Sequence, residues 1–132
     1  MHAQEVVELM VAFRSNRNIE RAHMVKLIDT LFKKILLDKW KDEVVYNQRV
    51  LFGLAEEFFF LEYHDEELWT KILDTAIHKN KINNTHYWVT IHQTTKALNE
   101  DPESPLKGKF TEKIEELVKK HFTPDRKWRY NL

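Results

Sequence analysis

The sequence contains no cysteine, which excludes disulfides, thiolate nucleophiles and Cys-ligated zinc. Glycine and proline are almost as scarce, with Gly53 and Gly108 and then Pro102, Pro105 and Pro124 across 132 residues. Strands joined by tight turns need that punctuation, and the first hundred residues hardly have it, so helices are the expected element. No apolar run approaches the roughly 20 residues that span a bilayer, the longest being Val50 to Ala55. No membrane span is expected. The first ten residues carry Glu5 and Glu8 but no Lys or Arg, a composition unlike a signal peptide or an Arg-rich transit peptide.

What the chain does have is apolar and charged surface in balance. Hydrophobic residues make up 42% and charged residues 32%, enough to bury a core and keep the outside wet. The length suits one domain, read as residues 1–122, followed by a basic and aromatic tail at 123–132. Net charge is zero, yet residues 42–67 hold one basic and eight acidic groups, while residues 107–132 hold eight basic and four acidic. A protein built to track a phosphate backbone would carry a net basic balance, and here the basic character is only local.

Apolar spacing marks six helices. The first runs from Ala3 to Ser15, with Val6, Leu9, Met10 and Phe13 on one stripe. Asn18 is a candidate cap for the second, Ile19 to Leu37, whose stripe is Met24, Ile28, Leu31 and Ile35, with Leu27 and Phe32 widening it. The third, Asp42 to Leu61, is apolar around much of its girth. Asp65 caps the fourth, with Glu66 and Glu67 at the positive end of its dipole. Thr85 is the candidate cap of the fifth, which ends before Pro102. Ser104 and Pro105 open the sixth, with Leu106, Phe110, Ile114, Leu117 and His121 along its stripe. Trp69, Ile72, Leu73, Ala76, Leu51, Ala55, Trp88 and Ile91 are the expected shared core. The fold class is therefore all-α, six antiparallel helices as three stacked hairpins in a short α-solenoid or bundle.

Residues Lys26 to Lys34 and Lys71 to Lys79 echo one another at an offset of 45, sharing Lys, Asp, Thr and Lys at matching positions, and Lys113 to Lys120 repeats the pattern more loosely. That echo reads either as a true repeat or as the likeness of two amphipathic Lys-rich helices. The phrase Asp65-Glu66-Glu67-Leu68-Trp69-Thr70-Lys71-Ile72-Leu73, followed by a helix ending Thr95-Lys96-Ala97-Leu98, resembles the helix pairs of organellar helical-repeat proteins, the heptatricopeptide and octotricopeptide group and their FASTK-like relatives. The resemblance covers about residues 65–122. It implies a mitochondrial or plastid setting, in which such proteins bind RNA or sit in organellar ribosomes and other large complexes.

Catalytic patterns are thin. Glu20 and His23 have the Glu-x-x-His spacing of di-iron bundles, but a second copy and two further glutamates are missing. His86 and His92 are too far around a helix to share a metal. Asp74 and His78 sit four apart, a spacing for a surface contact or part of a hydrolytic dyad, and no serine stands in a nucleophile's context. No cofactor, metal or small-molecule substrate is expected, and the chain reads as a binding protein and not an enzyme.

Binding features are stronger. Phe58, Phe59 and Phe60 follow one another on a helix, so their directions fan over about 200° and one core does not hold all three comfortably: either this helix lies mid-stack and is covered on several sides, or some of the rings face a partner. The tail carries Arg126, Lys127, Trp128, Arg129 and Tyr130, the residue types that interface hot spots favour and that also stack on single-stranded RNA. Phe59, Phe60 and those five tail residues are the candidate partner-binding set. The expected role is a non-catalytic adaptor or accessory subunit of a large multiprotein assembly, in a mitochondrial complex such as a respiratory-chain complex or ribosome, with a cytoplasmic location otherwise. The alternative is an RNA-binding helical repeat of organellar RNA metabolism.

Overall fold

A computed structural model describes residues 1–16, 19–79 and 82–121. Over those residues the chain forms six helical rods and no strand. We label them α1 (Ala3–Ser15), α2 (21–44), α3 (Gln48–Phe60), α4 (66–79), α5 (Thr85–Glu100) and α6 (Thr111–His121). Two rods are composite. In α2, ordinary α-helix gives way to π turns at Ile28–Phe32 and Trp40–Val44, and α4 ends in a third π turn, Thr75–Lys79.

The rods make three antiparallel hairpins stacked side by side. Glu43, near the end of α2, accepts from the amide of Ala3 at the start of α1, and Trp88 near the start of α5 stacks on His121 at the end of α6. Between hairpins the neighbours run parallel. Tyr63 donates to Asp29, Lys33 to Asp65 and the Trp40 indole to Thr75, so α2 and α4 advance together. Lys113 meets Asp74 and Lys120 meets the Ala76 carbonyl in the same manner between α4 and α6. The odd-numbered rods form one layer, with α3 central between α1 and α5, and the even-numbered rods form the other. Lateral partners lie 34 to 35 residues apart from Asp29 to Tyr63 and Trp40 to Thr75, but 39 to 45 apart between α4 and α6. The 45-residue echo thus aligns Thr30 with Thr75, whose neighbour across the layer is Trp40.

All eight residues of the expected core are buried in one continuous cluster, each large aliphatic side chain contributing about 1.5–3 kcal/mol against exposure. The central rod α3 buries Val50, Leu51, Leu54, Ala55 and Phe58 on several sides at once, as its all-round apolar pattern requires. Asp65 caps α4 through its side chain and the Leu68 amide at 2.9 Å.

Several expectations are corrected. The second helix does not stop at Leu37 but continues to Val44, and the third begins at Gln48, where the Asn47 side chain accepts from the Val50 amide. Asp42, Glu43 and Val44 therefore belong to α2. Asn84, not Thr85, caps α5 by accepting from the His86 amide. Ser104 and Pro105 do not open the sixth helix. Residues 102–110 form turns instead, held by Asn99, whose side chain accepts from the Phe110 amide and donates to Thr111 and whose carbonyl accepts from the Gly108 amide. Gly108 takes a positive φ of 75° there, which glycine adopts without a steric penalty. Leu106 and Phe110 are buried nonetheless. Asn18 lies outside the described residues.

The stripe of α2 is also corrected. Met24, Ile28, Phe32, Leu36, Trp40 and Val44 are buried, one residue in every four, whereas Leu31 is 46% exposed and Ile35 half-buried. In a regular α-helix every fourth residue drifts by about 40° per step. The wider π turns at 28–32 and 40–44 absorb that drift, keep the every-fourth stripe on the core and rotate Leu31 off it.

Candidate docking surface

The end of α3 delivers three rings to three environments. Phe58 is fully buried, packed at 5.2 Å from Tyr63 and edge-on at 6.2 Å from Trp69. Phe59 is half-buried. Phe60 is 54% exposed, yet it is held on two sides. Phe59 meets it edge-on at 6.0 Å, and the Arg14 guanidinium lies 4.7 Å above its centroid. Arg14 is itself fixed by a two-pronged bond to the buried carboxylate of Glu57, at 2.7 and 3.1 Å. That bond to Glu57 raises the Arg14 pKa above its ordinary value. A cation over a ring and an edge-on ring pair are each worth about 0.5–1.5 kcal/mol, so Phe60 is presented to solvent in a fixed direction.

Beside these rings the ends of α3 and α5 and the turn at 101–105 enclose an open cleft of about 680 Å³. Phe59, Phe60, Ala97, Leu98 and Pro105 give it an apolar wall, and Glu62, Asp101 and Glu103 stand on its rim. Glu62 adopts a left-handed backbone, φ 55°, at the turn into α4, and pairs with Arg21 at 2.6 Å. Asp101 and Glu103 make no ion pair with another described residue. Below the cleft, burial pushes the Tyr63 phenol well above its ordinary pKa, aided by its bond to Asp29. The arrangement can seat an apolar side chain and attract a cation. At its edge the Ser104 hydroxyl lies 3.5 Å from Nδ1 of His64, which lines the cleft, and accepts from the Leu106 amide.

The Asp74–His78 contact anticipated along α4 is not formed. Asp74 reaches across to Lys113 at 2.5 Å and His78 to Glu116 at 3.8 Å. Glu20 and His23 are both exposed at the start of α2, His86 is exposed and His92 half-buried. Arg126, Lys127, Trp128, Arg129 and Tyr130 lie outside the described residues. Sequence reasoning missed Arg14 and Glu57; a lone glutamate among the buried positions of α3 was the available signal, because a buried carboxylate requires a partner. Compared with family models, with curated proteins and with solved structures, the chain matches none.

Proposed function

We propose that the chain is a non-catalytic helical adaptor, an accessory subunit that docks on another protein through the Phe59–Phe60 edge of α3, with the tail at 123–132 as a second contact. The observation that carries this reading is Phe60, exposed over half its surface and yet fixed by Arg14 and Phe59. Fixing a side chain before contact removes part of the ordering cost of association, and aromatic and arginine side chains dominate interface hot spots. The acidic rim favours a partner segment that places Lys or Arg beside an apolar anchor. A mitochondrial complex, such as a respiratory-chain complex or ribosome, is the proposed setting, on the resemblance of residues 65–122 to organellar helical-repeat proteins.

The alternative, RNA binding, rests on the basic tail. Among the described residues, several cations are already paired, Lys33 with Asp65, Lys113 with Asp74 and Lys109 with Glu66. Co-purification of Phe60→Ala and unaltered protein, with and without ribonuclease, separates the two. The docking reading expects a defined protein set that survives ribonuclease and is lost from Phe60→Ala, while helix content is unchanged. A set that Phe60→Ala retains in full overturns it.

A further inference from the structure

The cleft beside Phe60 is acidic, and the segment that follows α6 is basic. Glu62, Asp101 and Glu103 stand on the rim, and no lysine or arginine lines the cleft. Among the described residues only Glu62 of these three is in an ion pair, with Arg21. Residues 122–132 hold Arg126, Lys127 and Arg129 against one carboxylate side chain, Asp125, and carry Trp128 and Tyr130 among them. The two are also within reach of each other. Because α5 and α6 run antiparallel, α6 ends at His121 beside Trp88, near the start of α5, while the cleft lies at the end of α5. From Trp88 to Ala97, on the cleft wall, α5 rises by about 14 Å. An extended chain covers about 23 Å from His121 to Trp128. What is left over, about 10 Å, is the diameter of the one helix to be rounded, α5 itself. The place where α6 stops offers a basic segment little. Lys119 and Lys120 are in the last turn of α6 and Lys79 ends α4, while Glu116, one turn back, faces His78.

We propose that residues 122–132 cross α5 and rest in this cleft, Trp128 against the apolar wall and the three cations along the carboxylate rim, until a partner displaces them. This self-occupancy rests on the docking reading of the same cleft and adds its regulation. A segment joined to its own site needs little affinity to fill it. A tether of this length holds the tail at about millimolar effective concentration, so a tail that binds as a free peptide at about 0.1 mM fills the cleft about nine-tenths of the time. An incoming segment then finds the cleft open about one-tenth of the time and binds about tenfold more weakly than to a bare cleft. Displacement frees the tail to serve as the second contact on the partner.

The test is competition in the purified chain. The probe is a fluorescently labelled synthetic peptide of residues 122–132, titrated by anisotropy. Arg126→Ser with Trp128→Ala releases the attached tail without touching the cleft, and this variant binds the probe about tenfold more tightly than the unaltered chain does. Adding Ala97→Lys and Glu103→Lys, both at exposed positions, removes most of that binding while helix content is unchanged. Asp101 is left in place because it accepts from the Glu103 amide, and Ala97→Gln with Glu103→Gln is the milder pair should the lysines disturb the turn. Equal affinity of the unaltered and released chains overturns the proposal, as does binding that ignores the cleft variants. No binding of the probe to the released chain up to about 1 mM, the effective concentration of the tether, also overturns it. So does an unaltered chain whose mass doubles with concentration only while its tail is intact, which places the tail on a neighbouring copy. The assay contains no partner, so its failure is distinguishable from failure of the Phe60→Ala co-purification that decides the docking reading.

Discussion

Arg14 joins a buried acid to an exposed ring, and its removal has two separable effects. Arg14→Ala leaves the Glu57 carboxylate buried without its partner, an arrangement that costs about 1–3 kcal/mol, and it also frees Phe60 from one of its two restraints. Chemical denaturation is expected to show a loss of that size, with Glu57→Gln milder because the amide oxygen can still accept; a loss under about 0.5 kcal/mol would mark the pair as a surface contact. His92 carries the pH response. Burial, reinforced by Lys96, holds its pKa below the ordinary imidazole value of 6.5. The unfolded chain therefore takes up a proton at higher pH than the folded one does. The contribution of His92 to stability is flat above about 6.5 and falls as pH drops from there to the depressed folded value. His92→Gln should flatten that part of the pH–stability curve relative to the unaltered protein, and an unchanged slope would show that His92 does not shape it.

At the level of the element, legibility followed periodicity. The limits of α1, the Asp65 cap and the all-round burial of α3 could be read because local pattern alone decides them. The phase of α2 could be read only in part, because its π turns bring Trp40 to Thr75 on a different helix, and a strict 3.6-residue period centred the stripe on Leu31 and Ile35 with Phe32 only at its margin, whereas Phe32 is buried and Leu31 exposed. Residues 105–110 were likewise misread as helix, since the Asn99 side chain that organises them competes for backbone amides that a helix would use. On the candidate site, the fan of Phe58, Phe59 and Phe60 was legible from helix geometry, while the Arg14–Glu57 bond spans 43 residues and was not. The contact of α1 with α3 explains a mid-helix glycine. A Cβ on Gly53 would come 2.7 Å from the Cγ1 of Val7, so the close approach of the two rods outweighs the propensity of about 1 kcal/mol that alanine would add. Gly53→Ala should destabilise by about 1–3 kcal/mol, and Val7→Ala in the same chain should restore much of the loss. Additive losses in the double variant would show that the two positions do not meet.

For the whole molecule, zero net charge hides an uneven distribution, with Arg126, Lys127 and Arg129 against Asp125 in residues 123–132. If the tail docks on a protein partner, deleting residues 123–132 leaves the domain folded but sharply lowers recovery of the native complex. Trp128→Ala alone should reproduce much of that loss, as a buried aromatic anchor carries about 2 kcal/mol or more. If RNA is the partner, Arg126, Lys127 and Arg129 matter at least as much, and rising salt weakens the complex steeply. A domain that unfolds on deletion contradicts both.

The π turn at Ile28–Phe32 also bears on how this chain tolerates changes of length. A π turn holds one residue more than the α turn it replaces, so a deletion there has somewhere to be absorbed. Without Thr30, a regular α-helix would carry Met24, Ile28, Phe32, Leu36 and Trp40 within a sector of about 80°, the same side chains that face the core now. Loss of the Thr30 codon should therefore yield a soluble, fully helical protein, whereas losing the codon for Leu54, in the regular helix α3, turns half of that helix by about 100° and should abolish folding. The gene, on this view, carries a spare codon inside its longest helix.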